Sequence, residues 1–231
     1  MAGEKKFALG PIVKAGLDKA LEAQYPVAQA NVARLRRVHP SKSPGQLVTL
    51  LNTVYLTTVT ATGAGAGAAA IVPNGWLQAP VAVGDLLTFL EASVLYALSL
   101  AEIHGVNIED VERRKMLVMA VLVGDGAAKA MVQPLLERTA PFLGKKVVRA
   151  IPMAAVDAAN KVLGPRFITK YGTKQGVLVL GKQVPMWIGV GIGATGNHVF
   201  GWIVIKATRR ILGRVPESWE ASEGTEVLAP D

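Results

Sequence analysis

Residues 81–104, VAVGDLLTFLEASVLYALSLAEIH, decide how the chain is read. Leu86, Leu87, Leu90, Val94, Leu98 and Ala101 recur at helical spacing and share one side, while Asp85, Glu91 and Glu102 fall elsewhere. Three acids make this stretch a poor membrane span, so it reads as an amphipathic core helix. His104-Gly105-Val106-Asn107 closes it, because glycine takes the left-handed conformation that ends a helix. Ile108-Glu109-Asp110 opens another helix through ERRKMLVMAVLVG, which Gly124-Asp125-Gly126 stops.

Toward the N-terminus, residues 11–38 read as an exposed first helix, entered near Pro11 and ending in the cations Arg34, Arg36 and Arg37. HPSKSPGQ then breaks the chain, with Ser43 as N-cap and Pro44 at the first helical position. From Gln46 a helix face runs through Leu47, Leu50, Leu51, Val54, Tyr55 and Thr58. No Asp, Glu, Lys, Arg or His occurs from Ser43 to Gly84. About 20 apolar residues suffice to cross a bilayer, but the polar Thr, Asn and Gln residues and the breaker Pro73-Asn74-Gly75 favour a packed, buried segment.

Toward the C-terminus, AAKAMVQPLLERTAPFLG is interrupted by Pro134 and Pro141 and predicts short or kinked pieces. Helix-like segments follow at 145–163 and 165–180. Gln183 to Ile205 again lacks Asp, Glu, Lys and Arg, and is bracketed by Lys182 on one side and Lys206, Arg209, Arg210 and Arg214 on the other. This is the better of the two membrane-insertion candidates. After Val215 the tail is acidic, low in bulky residues apart from Trp219, and reads as disordered.

These elements predict an all-α protein, a compact multi-helix bundle with closely packed Gly/Ala-rich helices. The organisation expected is a basic helical segment at 1–42, a helical domain at 43–214 and an acidic tail at 215–231. Apolar residues make up 51% and charged residues 18%, against about 45–50% and about 25% in average soluble domains. The absence of cysteine excludes disulfides, thiolate nucleophiles and Cys-based metal sites. The basic N-terminus lacks the continuous apolar core of a secretory signal, so no export is expected.

Net charge is +8, unevenly spread. Lys145, Lys146, Arg149, Lys161, Arg166, Lys170, Lys174 and Lys182 face only one acid, Asp157, between residues 145 and 182. Arg166, Lys170 and Lys174 recur every fourth residue and stack on one helix face. A basic surface attracts nucleic acid or anionic lipid. Here the cations flank apolar runs, as they do when they position a helix at a lipid surface, which favours lipid over nucleic acid. The headgroup candidates are Lys145, Lys146, Arg149, Arg166, Lys170, Lys174, Lys182, Lys206, Arg209 and Arg210; a merely solvated helix face competes with that reading.

Four successive blocks, RRVHPSKSPGQLVTLLNTVYL, TATGAGAGAAAIVP, LEASVLYALSLAEIHGVNIEDVERRKMLVMAVL and GKQVPMWIGVGIGATGNHVFGWIVIKATRRI, resemble the EcsC family and cover most of residues 36–211. The most specific are the IHGVNIED turn and the VPMWIGVGIGATGNHVF block. The resemblance implies a helical bacterial protein named from an operon that also encodes the ATPase and membrane subunits of an ABC transporter. It carries over no catalytic residue. Pro73-Asn74-Gly75-Trp76 stands where a hydrophobic continuation is usual, which weighs against a membrane-dipping role for the first Gly/Ala block.

Other constellations have plainer readings. Gly191, Gly193 and Gly196 match GxGxxG, but no strand precedes them and too little chain follows for a βαβ unit. Gly189, Gly193, Asn197 and Gly201 are each four apart, as are Gly63 and Gly67, which puts each set on a helix face that a neighbouring backbone can approach closely. His39, His104 and His198 are scattered and predict no metal site; the Ser and Asp residues form no triad order. The expectation is therefore a non-enzymatic helical accessory or scaffold protein without cofactors, peripheral at the cytoplasmic face of the inner membrane and beside a membrane transporter, with integral insertion of 183–205 left open. The alternative is a soluble helical enzyme or small-molecule binder with a pocket between Gly-lined helices.

Overall fold

The computed structural model describes residues 9–69, 75–106, 108–124, 126–137, 152–171 and 186–219, and leaves the side chains of 65–82, 127, 133–137 and 186–195 outside that description. The described residues form an all-α bundle of α1 (Leu9–Val38), α2 (Pro44–Ala69), α3 (Gly75–Ile103), α4 (Val111–Val123), α5 (Gly126–Glu137), α6 (Met153–Thr169) and α7 (Met186–Leu212).

Helix ends follow local chemistry. At the start of α2 the Gln46 N–H donates to Ser43 Oγ at 3.4 Å and the Ser43 N–H donates to Gln46 Oε1 at 2.9 Å, a reciprocal capping box with Pro44 at its first position. Gly105 ends α3 at φ 67°. Its N–H reaches Glu102 O and that of Val106 reaches Ala101 O, the paired bonds of a Schellman turn. Asp110 caps α4 by accepting the Arg113 N–H at 3.0 Å, and Gly124 closes it at φ 62°.

Helix α3 packs against α1 and α2, and α4 against α3, α5, α6 and α7. The single apolar stripe expected on α3 is therefore too narrow. Tyr96, Ala97, Leu98, Leu100, Ala101 and Ile103 are all buried, because neighbours cover more than one side of the helix. Tyr55 of α2 stacks on Tyr96 of α3 at 4.4 Å, and each hydroxyl finds a partner: Tyr55 with Ser93 at 2.7 Å, and Tyr96 donating to Asn52 at 2.6 Å. Burial pushes both phenols above their ordinary range.

Three expectations need correction. Helix α1 is not an exposed appendage; Val13, Leu17, Ala20, Leu21, Ala28, Val32 and Leu35 are buried in the common core. The two segments split near residue 164 are one helix, α6, which runs through Pro165. Pro165 and Lys161 are both exposed, so the carbonyl bond that the proline forfeits is open to water. Disorder does not begin at Val215. Val215 and Trp219 pack on the core, Trp219 Nε1 donates to Lys42 O at 3.0 Å, and the Arg36 guanidinium lies 4.3 Å from the indole centroid.

Candidate functional site

Helices α2 and α7 lie side by side and run antiparallel: His198 meets Thr60, and three residues later Gly201 meets Val59, Leu56 and Tyr55. The chain's two charge-free runs, far apart in sequence, are thus brought together. A Cβ on Gly201 would stand 2.9 Å from Val59 Cγ2 and 3.0 Å from Leu56 Cδ1, so this glycine lets the helices close on each other. One turn before it, Asn197 is buried and donates from Nδ2 to Asp85 of α3 at 3.2 Å. Gly63 is buried on α2. Gly67, Gly189 and Gly193 lie on α2 and α7, but their surroundings fall outside the described residues.

Among the described residues, large apolar side chains on both helices of the pair are exposed. On α7, Val199 is 50% exposed, Trp202 42% and Ile203 36%; on α2, Val54 is 53% exposed. Continuing along α7, Lys206, Arg209 and Arg210 are exposed. Spacings of three and four place residues 199, 202, 203, 206, 209 and 210 on one helical face, apolar first and cationic after. From 199 to 210 the face extends about 16 Å at a helical rise of about 1.5 Å per residue. That spacing was readable in the chain, but the inward side of α7 was not, so the outward side could not be told from it.

Threonines on α2 keep their hydroxyl protons within the helix. Exposed Thr49, Thr53 and Thr58 donate to Gly45 O, Thr49 O and Val54 O at 3.0, 3.2 and 2.9 Å. Such back-bonding satisfies a hydroxyl donor without water. By length and composition, α2 over Pro44–Ala64 and α3 over Val83–Ile103 are apolar enough to cross a membrane; 39% of the first window and 67% of the second are buried in the bundle. The second is thus chiefly a core helix, in keeping with the amphipathic reading of residues 81–104.

Among the described residues, Arg166 and Lys170 do not share a patch with Lys206, Arg209 and Arg210, which lie on α7. Lys145, Lys146, Arg149, Lys174 and Lys182 lie outside the described residues, and Arg166 is exposed on α6. Lys170 turns inward: its Nζ donates to Leu122 O at 2.7 Å and Val123 O at 2.8 Å, while the Tyr171 hydroxyl donates to Leu122 O at 2.9 Å. A cation on the last carbonyls of α4 answers both their unmet acceptors and the helix dipole. Lys170 is therefore a cap inside the bundle and does not share an outward face with Arg166.

A groove of about 730 Å³ opens between α1, α4 and α6, not between the Gly-lined helices. Leu17, Met119 and Phe167 line it among side chains of both signs, including Lys14, Lys161, Glu112 and Asp157, and Lys115 is paired with Asp18 at 3.2 Å. Among the described residues no three His, Asp or Glu side chains gather as a metal site would require. Residues 191–196, which match GxGxxG, lie within α7 and not in a loop ahead of a helix.

No protein-family model, no curated protein and no solved structure matches the chain.

Proposed function

We propose that the protein is a non-enzymatic helical accessory protein that rests on the cytoplasmic face of the inner membrane, with the outer side of α2–α7 in the lipid interface. The observation that carries this reading is the face of α7. Val199, Trp202 and Ile203 stand exposed on α7, and Lys206, Arg209 and Arg210 follow on the same side of that helix. An apolar band with a tryptophan and a collar of cations suits the boundary between acyl chains and anionic headgroups. The back-bonded threonines of α2 support it, since they add no unsatisfied hydroxyl donor to the face. The resemblance to the EcsC family adds the expectation of a transporter as neighbour.

Flotation of the purified chain with anionic and with neutral vesicles tests the proposal. Binding to the anionic vesicles that weakens with salt is the expected result. A chain that stays at the bottom of the gradient with both compositions sinks the membrane reading. The groove between α1, α4 and α6 favours a second reading, a soluble small-molecule binder, because its volume lies in the range of ligand sites, roughly 300–1,000 Å³. Absence of flotation together with a ligand-induced rise in melting temperature would favour that reading.

A further inference from the structure

We propose that His198 sets the pose of Trp202 as a membrane anchor: neutral His198 pins the exposed indole along α7, and protonated His198 frees it to turn into the lipid interface. The inference rests on the membrane reading above and names its regulation.

The argument begins with proton positions. Trp202 Nε1 lies 3.1 Å from His198 Nε2, and His198 Nδ1 lies 3.2 Å from Thr60 Oγ1. An indole N–H can only donate, so Nε2 must be the acceptor and the imidazole must be neutral. Its proton is then on Nδ1 and is donated to Thr60, whose hydroxyl in turn donates to Leu56 O at 2.7 Å. Every proton in this chain of four groups has a single assignment. An imidazolium carries N–H on both nitrogens and has no lone pair to offer. When solvent delivers a proton to Nε2, that N–H and the indole N–H oppose each other, and the Trp202 bond breaks while the Thr60 bond survives.

The surroundings leave this proton with few competitors. α2 has no charged residue, and on α7 the nearest is Lys206, two turns beyond His198. α3 brings Asp85, which holds the neighbouring Asn197, with Glu91 and Glu102 farther along the helix. α4 meets α7 through its C-terminal turn, where Gly124 lies near Ile203 and Ala207 and where the Lys170 ammonium of α6 caps Leu122 O and Val123 O, whereas the charges of α4 itself at 112–115 sit at the opposite end. α5 carries Lys129, which is exposed, and Glu137.

Trp202 is already 42% exposed between Val199 and Ile203. An indole freed from His198 suits the lipid interface, where one end of the ring is apolar and the other polar. The new charge on residue 198 adds to the attraction of anionic lipid. Histidine as a residue type changes charge between about pH 5 and about pH 8, so acidification over that range is the signal.

The test has two arms. In solution without lipid, tryptophan emission of the wild type minus that of Trp202→Phe isolates Trp202; we expect it to change between about pH 7.5 and about pH 5.5, and to stay constant when the same difference is taken in a His198→Gln background. With anionic vesicles, flotation of the wild type should strengthen on acidification by roughly two- to tenfold more than that of His198→Gln, the factor that the net value of one hydrogen bond corresponds to. The comparison removes the part of the response due to other titrating groups. Equal pH responses of the two proteins would overturn this role of His198 and leave the membrane reading standing. Failure to float at either pH would overturn both, and a Trp202 signal that ignores pH in solution would overturn the role of His198 whatever the vesicles show.

Discussion

Helix α4 opens with four successive charged residues, Glu112 to Lys115, and buries every residue from Met116 to Val123. Helix α2 has no charged residue, yet fewer than half of the residues from Pro44 to Ala64 are buried. The contrast shows that burial follows the number of neighbours and not the charge count of a helix. α4 is surrounded by α3, α5, α6 and α7, and it settles its charges at one end. Glu112 accepts from Asn160 at 2.9 Å, Lys115 pairs with Asp18, and the Arg114 guanidinium lies 4.2 Å from the Tyr25 ring centroid. Among the described residues α2 is covered chiefly by α3 and α7, and part of its surface is exposed. On the proposed membrane reading, the exposed part of this charge-free helix is where a lipid surface would add a third neighbour.

Truncating an aliphatic side chain on each helix exposes the difference most strongly. Leu117→Ala on α4, where the residue is 2% exposed, should cost about 2–5 kcal/mol through lost burial and the cavity left behind. Val54→Ala on α2 should stay within about 0.5 kcal/mol in solution. At about 2–4 °C of melting temperature per kcal/mol for a chain of this size, thermal unfolding resolves the two. Similar losses at both sites would mean that α2 is covered in solution by something other than the bundle.

A second prediction separates cations that cap from cations that face outward. Reversing Lys206, Arg209 and Arg210 together to Glu should weaken flotation with anionic vesicles by about 3 kcal/mol or more, since each cation near such a surface contributes about 1 kcal/mol and each new carboxylate is repelled. The fold should hold, because all three are exposed. Lys170→Met should do the reverse, costing about 1–3 kcal/mol of stability by leaving carbonyls of α4 short of a charged donor and leaving flotation unchanged. If Lys170→Met abolished vesicle binding in a folded protein, its place as an inner cap would be wrong.

What was legible in the chain were features that a few adjacent residues determine. Ser43-Pro44 with Gln46, Gly105, Asp110 and Gly124 mark their helix ends because each cap closes within one turn. What was not legible depends on which helix lies opposite. The four-residue spacing of Arg166 and Lys170 correctly places them a turn apart, but only the position of α4 decides that the Lys170 ammonium turns in. The heptad-like spacing from Val199 to Arg210 was equally visible, and without α2 in place it could have been the buried side. His198 looked like a lone histidine because Thr60 is 138 residues away.

Within the α2–α7 contact, size can be varied one atom group at a time. A Cβ on Gly201 would stand 2.9 Å from a methyl of the fully buried, β-branched Val59 and 3.0 Å from the end of Leu56, so even Gly201→Ala forces a shift and should lose stability on balance, its helix propensity gain of roughly 1 kcal/mol offsetting only part of the crowding. Gly201→Leu has less room still and should cost more, about 1–3 kcal/mol by overpacking. Thermal melts of the pair check this. Equal stability of the alanine and leucine variants would show that the two helices do not approach as closely here as their geometry states.

The smallest effect distinguishes the two regions by pH. His104, at the end of α3, accepts no bond at Nε2, which is shielded from solvent, and its Nδ1 lies 2.7 Å from Leu100 O, so it is held as the neutral tautomer with its proton on Nδ1. Burial lowers its pKa from the ordinary value of 6.5, partly countered by the bond to Leu100. The sign follows: below about 6.5 the unfolded chain takes up a proton at this residue and the folded chain does not, so stability present at neutral pH is lost as the pH falls from there toward the lowered value. His104→Gln cannot titrate and should lose less stability than the wild type when denaturant melts at about pH 7.5 and about pH 5.5 are compared. The same substitution should leave the pH dependence of vesicle binding untouched, since His104 sits half-buried at the end of α3 and His198 on α7. If the vesicle response moved with His104 and the melts did not, the acid-sensitive group would be in the other half of the molecule.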